Sequence, residues 1–150
     1  MQRRQLWALA VAVATACTGG EQAQQEEQAE PVDTLAEEAA AAFDPAGFDT
    51  ISWETDQAAL ERGSVVYSYS CAKCHGRQGF GDGGFVSRGD TLQPPSFHQS
   101  DWEYADDPEG LRQVIFTGGG HMPHWGLEGL PYRDVDAVAR YILEGMRGSG

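Results

Sequence analysis

The segment CAKCH at positions 71–75 constrains this chain more than any other part of it. Cys71 and Cys74 have the spacing at which two thiols can each add to a vinyl group of a haem, and His75 follows directly as an axial ligand for the iron. The motif therefore predicts one covalent c-type haem, with Cys71 and Cys74 as its thioether residues and His75 bound to the metal.

Two other kinds of site use a C-x-x-C pair. A redox dithiol needs only the two thiols, and no βαβ pattern surrounds them here. A zinc site would need ligands such as His121 and His124, whose H-x2-H spacing is tighter than the usual H-x3-5-H. Neither site requires His75, so haem attachment explains more of the motif.

The first 16 residues are typical of an export signal. Arg3 and Arg4 provide its positive start, and residues 6–16 form an apolar run that ends in small residues. The run is shorter than the roughly 20 apolar residues that a helix needs to cross a bilayer. Residues 1–16 are therefore predicted to be a removable signal peptide.

Cys17 follows directly after the predicted cleavage point. The sequence ATAC at 14–17 resembles a bacterial lipobox, in which the cysteine becomes a lipidated first residue, although Ala14 stands where Leu is more common. With Cys71 and Cys74 bound to haem, Cys17 has no cysteine left to pair with, and a free thiol is a liability in an oxidising compartment. We favour lipidation of Cys17, and a spare unmodified cysteine is the alternative.

Residues 17–50 are predicted to be an acidic, disordered linker. Positions 18–49 hold no Lys or Arg and only four large apolar residues, so ordering them would bury little apolar surface. Ala and Glu at 35–43 favour a transient helix. The simplest role is a tether between a lipid at Cys17 and a folded domain at 51–150, and a recognition tail is the alternative.

The charge of the chain is strongly negative. It has 10 Lys and Arg and 23 Asp and Glu, a net charge of −13, and loss of Arg3 and Arg4 leaves 8 against 23, or −15. Such a surface repels nucleic acid and anionic lipid head groups, and it favours redox partners with basic docking surfaces.

Three helices are predicted in the domain, at about 56–70, 108–116 and 134–146. The third has apolar residues at i, i+3, i+4, i+7, i+8 and i+11, the pattern of one buried helix face. Asp56 and Asp107 are candidate N-caps. The intervening segment 76–106 is rich in Gly, Pro, Ser and Asp and is predicted to be loop, ordered by contact with the haem.

Met122 is the candidate second axial ligand. It lies in GGGHMPHW at 118–125, where three glycines and Pro123 would present its sulfur to the iron. A thioether ligand opposite histidine raises the reduction potential. Met146 falls on the apolar face of the last helix, which favours a core position. The competitors for the sixth position, besides no ligand at all, are His98, His121, His124 and Met146.

Together these elements resemble class I monohaem c-type cytochromes. The matched parts are a helix with Gly63 and Tyr67, the CAKCH motif, a Pro-containing loop, a Met-Pro segment and a last helix with Tyr141. The resemblance implies an all-α small cytochrome c fold, with about three main helices and long loops wrapping one covalent haem. It also implies that Gly63 lets the first and last helices cross closely, with the two tyrosines at the crossing.

The resemblance further implies a role for PPSF at 94–97. In that family a proline carbonyl accepts a hydrogen bond from the proximal histidine, and Pro95 is favoured over Pro94 for this role and as a haem contact. Phe97 would replace the usual Leu. Trp125, three residues beyond the candidate methionine ligand, is a further candidate haem contact.

A haem bound by both His75 and Met122 leaves no site for a small-molecule substrate, so the chain is predicted not to be an enzyme. The predicted function is one-electron transfer on the outer side of the cytoplasmic membrane, between a donor and an acceptor protein, by a lipid-anchored carrier that binds no nucleic acid. The first alternative is a cytochrome subunit of a larger membrane or periplasmic redox enzyme complex. The second is a haem sensor or peroxidase with an open sixth position.

Overall fold

The computed structural model describes residues 34–148. The predicted signal peptide at 1–16, the candidate lipidation site Cys17 and the first half of the predicted linker lie outside the described residues.

Helices provide nearly all of the regular structure, which confirms the all-α prediction. The one sheet in the described residues is a hairpin of two-residue strands. None of the helices within 34–148 has the length and apolarity needed to cross a bilayer. The elements in chain order are α1 (Thr34–Ala42), a short 3-10 helix (Pro45–Phe48), α2 (Asp56–Val66), a π-helical turn (Tyr67–Cys71), α3 (Ala72–His75), β1 (Val86–Ser87), β2 (Asp90–Thr91), α4 (Pro108–Thr117), α5 (Tyr132–Arg140) and a second π-helical turn (Tyr141–Met146).

The three predicted helices correspond to α2 with its extension into α3, to α4, and to α5 with its π-helical turn. The cap of α4 is as predicted, because the Asp107 side chain accepts a hydrogen bond of 2.9 Å from the Gly110 backbone N–H. The predicted cap of α2 is wrong by one residue. Thr55, and not Asp56, accepts the bond from the Ala58 N–H, at 3.1 Å.

The crossing of α2 and α5 forms the centre of the core. A Cβ atom at Gly63 would lie 2.1 Å from the carbonyl oxygen of Ala137 and 2.6 Å from the Cβ of Tyr141, so only glycine permits this approach. The rings of Tyr67 and Tyr141 are 5.7 Å apart beside it. The close crossing implied by the family resemblance is therefore present.

Residues 34–50, the N-terminal strap, differ from the predicted disordered linker. Phe43 packs against Phe116 with ring centroids 5.4 Å apart, and Phe48 packs against Tyr132 at 4.9 Å. The strap has few apolar residues, but two of them lie on aromatic rings of the core, and these distant contacts offset the entropy of ordering. The folded part therefore begins earlier than the predicted boundary at 51.

A buried carboxylate fixes the chain that follows the strap. Asp136 on α5 is 3% exposed, and its oxygens accept hydrogen bonds or ion pairs from Trp53 Nε1 at 2.7 Å, Arg112 at 2.9 Å and Arg140 at 3.2 Å. Several partners for one buried charge satisfy its need for hydrogen bonds. The network joins residue 53 to α4 and α5.

Replacing Phe43 with Ala is expected to lower the free energy of unfolding by about 2 kcal/mol. Truncating a fully buried phenylalanine to alanine lowers the stability of a protein by about 3–5 kcal/mol. The expected loss is smaller here because Phe43 is only half-buried. Urea unfolding measures the change. Leu35→Ala on α1 is the control, because Leu35 is 54% exposed, and it should alter stability by less than about 0.5 kcal/mol. Equal effects of the two variants would show that the strap does not pack on the core.

Candidate haem site

The CAKCH segment lies where the π-helical turn passes into α3. Cys71 is buried, and Cys74 and His75 are half-buried. The π-helical turn is closed by a hydrogen bond from the Ala72 N–H to the Tyr67 carbonyl, a geometry that is frequent at functional sites. All three motif residues line one cavity.

Two cavities meet the motif, with volumes of about 290 Å³ and about 170 Å³. Both are lined by Cys71, His75, Pro95 and Met122, and the remaining lining is mostly apolar. Two thiols, an imidazole and a thioether in an apolar cavity are the donors that a covalent haem requires. The residues present therefore fit that group.

The position of the His75 ring is set by packing and not by a hydrogen bond at Nδ1. Its Nδ1 is buried and has no hydrogen-bond partner among the described residues. The ring stacks on Phe97 with centroids 4.8 Å apart and planes 24° apart. Burial lowers the pKa of His75, which favours the neutral imidazole that binds metals. The side chain is thus oriented by stacking and remains available as a ligand.

The hydrogen bond expected from His75 to the carbonyl of Pro95, or else of Pro94, is absent, since the buried His75 Nδ1 has no hydrogen-bond partner within residues 34–148. Pro94 and Pro95 line the larger cavity, but the carbonyl of Pro94 lies against Gly81, 2.1 Å from where a Cβ there would be. The backbone at Gly81 therefore occupies the space beside this carbonyl. Pro95 lines both cavities, and its role as a haem contact stays a prediction.

Met122 lies in a tight turn that faces the same cavities. Gly119 and Met122 exchange two backbone hydrogen bonds, of 2.9 and 3.0 Å. Gly118 before them has φ +67°, and a Cβ there would lie 2.4 Å from the carbonyl oxygen of Pro123. Glycine at 118 is therefore required for the turn. His75 and Met122, the two predicted axial ligands, are brought to the same cavities.

The competing ligands occupy different positions. His98 Nε2 lies 2.7 Å from the carbonyl oxygen of Gln78, and His124 Nδ1 bonds to the carbonyl of Thr117. Met146 is buried in the core and lines neither cavity, as the sequence pattern indicated. His121 does line the larger cavity, together with Trp125. Of the four competing ligands, His121 is the one that lines a cavity beside His75.

The structure gives no support to a redox dithiol or a zinc site at Cys71 and Cys74. Burial, and then the neighbouring Cys74, raise the pKa of the Cys71 thiol to about 12, whereas redox-active thiols have lowered pKa values. Within residues 34–148, no three His, Cys, Asp or Glu side chains come together as a metal site. His121 and His124 therefore do not join the cysteines as zinc ligands.

The sequence did not show which side chains form the remaining wall of the smaller cavity. It is formed by apolar and aromatic side chains of α4, the last helix and the loop before α4, namely Trp102, Tyr104, Leu111, Val114, Ile115 and Ile142. The apolar spacing on α4 was visible in the sequence. Which part of that face meets the cavity depends on how α4 packs against α5.

Comparison with known proteins gives a consistent result. The family model described as "Cytochrome C oxidase, cbb3-type, subunit III" matches residues 58–142. The cbb3-type cytochrome c oxidase subunit CcoP of Azospirillum brasilense is 38% identical over 89 residues, which are 59% of this chain and 29% of the relative. CcoP of Rubrivivax gelatinosus is 30% identical over 90 residues, which are 59% of this chain and 26% of the relative.

A third relative is subunit FixP of the cbb3-type cytochrome c oxidase of Azorhizobium caulinodans. It is 33% identical over 72 residues, which are 47% of this chain and 22% of the relative. The chain thus spans less than a third of the length of the curated relatives it matches. No solved structure matches the chain significantly.

Proposed function

The chain belongs to the cbb3-type cytochrome c oxidase subunit III family, and on this premise we propose that it transfers single electrons as a haem c subunit or docking module of a membrane redox enzyme complex. Its relatives are named as oxidase subunits, which favours this alternative over the free carrier that the sequence reasoning placed first. Because the chain spans only part of those relatives, the proposal is limited to electron transfer through this domain.

The observation that carries the proposal is the convergence of four side chains on one pair of cavities. Cys71 and Cys74 would hold one haem covalently, since the sequence contains a single C-x-x-C-H motif. His75 and Met122 would bind its iron. When bound, the haem would supply one-electron chemistry, and the two protein ligands on its iron would leave no site for a substrate.

The surrounding residues orient the ligands and exclude water. Phe97 stacks on His75, and the two hydrogen bonds between Gly119 and Met122 fix the backbone beside the thioether. The apolar walls of both cavities keep the local dielectric low, which together with ligand identity sets the reduction potential. Holding both ligands in place in either oxidation state keeps structural change on electron transfer small.

The location of the domain completes the proposal. Residues 1–16 would direct export, and a lipid on Cys17 would hold the protein at a membrane, with residues 17–33 as the connection to the strap. Only the sequence patterns of those residues support this part. Mass measurement of the N-terminal peptide of the mature protein would show the acyl groups directly.

A protein purified gently from native membranes, with an affinity tag after Gly150, is expected to retain other subunits of an oxidase in fixed proportion. Mass spectrometry of the purified complex identifies them. The control is Cys17→Ser, which removes the lipid but leaves the folded domain unchanged. If partners remain with this variant, protein contacts hold the complex. A wild-type chain that elutes alone from detergent would instead support the free carrier.

A further inference from the structure

The loop that carries Met122 leaves the C-terminal end of α4 and returns to it. Gly126 donates its backbone N–H to the Phe116 carbonyl at 2.9 Å, and the His124 ring nitrogen Nδ1 bonds to the Thr117 carbonyl. The last carbonyls of an α-helix have no partner inside the helix and need one elsewhere. The returning chain therefore caps α4 at two successive carbonyls, one through its backbone and one through a side chain.

Residues 118–123 form a glycine-rich loop that is costly to order. Gly118, Gly119 and Gly120 all have positive φ, at 67°, 137° and 60°. A Cβ atom at Gly119 or Gly120 would meet nothing within 4 Å, so one side of the chain there is open. Glycine loses more backbone freedom on ordering than any other residue. The hydrogen bonds that close the loop, between Gly119 and Met122 and at the end of α4, offset that cost.

His124 is engaged on the helix and not in the cavities. Met122, Pro123 and Trp125 all line the larger cavity, whereas His124 lines neither cavity. Because the Thr117 carbonyl can only accept a hydrogen bond, Nδ1 of His124 must carry the proton and donate it. The side chain is half-buried, and a hydrogen bond partly shielded from water is the stronger for it. His124 is thus placed to fix the loop without entering the cavities.

We propose that His124 is a positioning residue that keeps Met122 on the haem iron by fixing the ligand loop to the end of α4. The inference rests on the proposed function, because it requires Met122 to be a ligand of that iron. A thioether is a soft ligand that favours reduced iron, so its bond to oxidised iron is the weaker one. The hydrogen bond of His124 therefore opposes opening of the loop chiefly in the oxidised protein.

Imidazole added to the oxidised, haem-loaded protein measures how often the position of Met122 on the iron is open. It binds only where Met122 has left, so its apparent affinity scales with the open fraction. Leucine and asparagine have the same branched shape, and only asparagine places an N–H donor where Nδ1 of the histidine lies. We expect imidazole to bind His124→Leu about tenfold more tightly than the wild-type protein, whereas its affinity for His124→Asn should match the wild-type value.

His98→Leu is the matched control for the loss of a histidine hydrogen bond. The His98 ring nitrogen Nε2 also bonds to a backbone carbonyl, that of Gln78 at 2.7 Å, and His98 lines neither cavity. Loss of this bond should leave the imidazole affinity unchanged, whatever it does to stability. The proposal is overturned if His124→Leu binds imidazole no more tightly than the wild-type protein, if His124→Leu and His124→Asn behave alike, or if His98→Leu shows the same gain.

Amide hydrogen exchange gives a second readout that needs no added ligand. The Met122 N–H bonds to the Gly119 carbonyl at 2.9 Å, and its exchange rate reports opening of the loop. In NMR spectra of the haem-loaded protein we expect this exchange to quicken about tenfold in His124→Leu and to return to the wild-type rate in His124→Asn. An unchanged rate in His124→Leu speaks against the proposal as directly as an unchanged imidazole affinity.

The wild-type protein tests the hydrogen bond even where His124→Leu fails to fold or to bind haem. Nitrogen–proton NMR correlation spectra of the reduced protein show which ring nitrogen of His124 carries a proton. We expect the proton on Nδ1, as donation to the Thr117 carbonyl requires. A His124 ring with a bare Nδ1 overturns the proposal.

Spectra of the wild-type protein separate failure of this inference from failure of the proposed function. Haem content, reversible reduction and the far-red absorption of the sulfur–iron bond are measured for every variant. A wild-type chain that takes up no haem, or that lacks this absorption, contradicts the proposed function and the inference with it. A haem-loaded wild-type chain that shows the absorption, with an imidazole affinity independent of residue 124, contradicts only the positioning role of His124.

Discussion

Replacing Met122 with Ala is expected to lower the reduction potential by about 0.1–0.3 V, within the roughly 0.8 V that axial ligands span. The thioether favours the reduced state, and its loss removes that preference. The weak far-red absorption band of the sulfur–iron bond should disappear. The reduced variant should also bind carbon monoxide at neutral pH, which the wild-type protein should not. Redox titration and absorption spectroscopy measure these changes.

Met146→Leu is the matched control for this prediction. Met146 is buried and lines neither cavity, so a change of similar volume there should leave the band and the potential intact. An unchanged spectrum in Met122→Ala would exclude Met122 and make His121, which lines the same cavity, the next candidate. Carbon monoxide binding to the wild-type protein would instead favour the sensor or peroxidase.

Replacing Gly63 with Ala is expected to destabilise the protein by about 3 kcal/mol. In an isolated helix the same change would stabilise by about 0.5–1 kcal/mol, because alanine has the higher helix propensity. Here the added methyl group would lie 2.1 Å from the carbonyl oxygen of Ala137, which is backbone and cannot turn aside. The sign of the change therefore reports whether α2 and α5 cross at this residue. Urea unfolding of the haem-loaded protein measures it.

Gln57→Ala is the control on the same helix. Gln57 is exposed near the start of α2, and its replacement should alter stability by less than about 0.5 kcal/mol. A stabilised Gly63→Ala variant would contradict the crossing. A variant that folds with reduced stability and loses bound haem would show that the crossing also supports the cavity.

The parts of the fold that could be predicted from the sequence depend on local signals. The last helix was clear because its apolar residues repeat at helical spacing, and α4 because Asp107 and Pro108 specify its start. The haem motif is equally local, since its residues lie within one turn of helix. Met122 could be proposed as a ligand because the chemistry of its side chain and the adjacent glycines limited the choices.

The parts that could not be predicted depend on contacts between distant residues. The strap looked disordered because its composition is poor in apolar groups, and nothing local shows that Phe43 and Phe48 lie on aromatic rings more than 60 positions away. The carbonyl of Pro94 is likewise directed by its packing on Gly81.

The ordered strap also limits how far the domain can travel from its proposed anchor. For a chain held by a lipid at Cys17, residues 17–33 connect the lipid to the strap, and 17 residues can span at most about 60 Å, instead of about 120 Å for residues 17–50. Halving the reach reduces the accessible volume about eightfold and raises the effective concentration at a fixed neighbour by a similar factor. In a chain anchored at Cys17, packing of Phe43 and Phe48 would thus favour electron exchange with a neighbour in the same membrane over exchange with distant proteins.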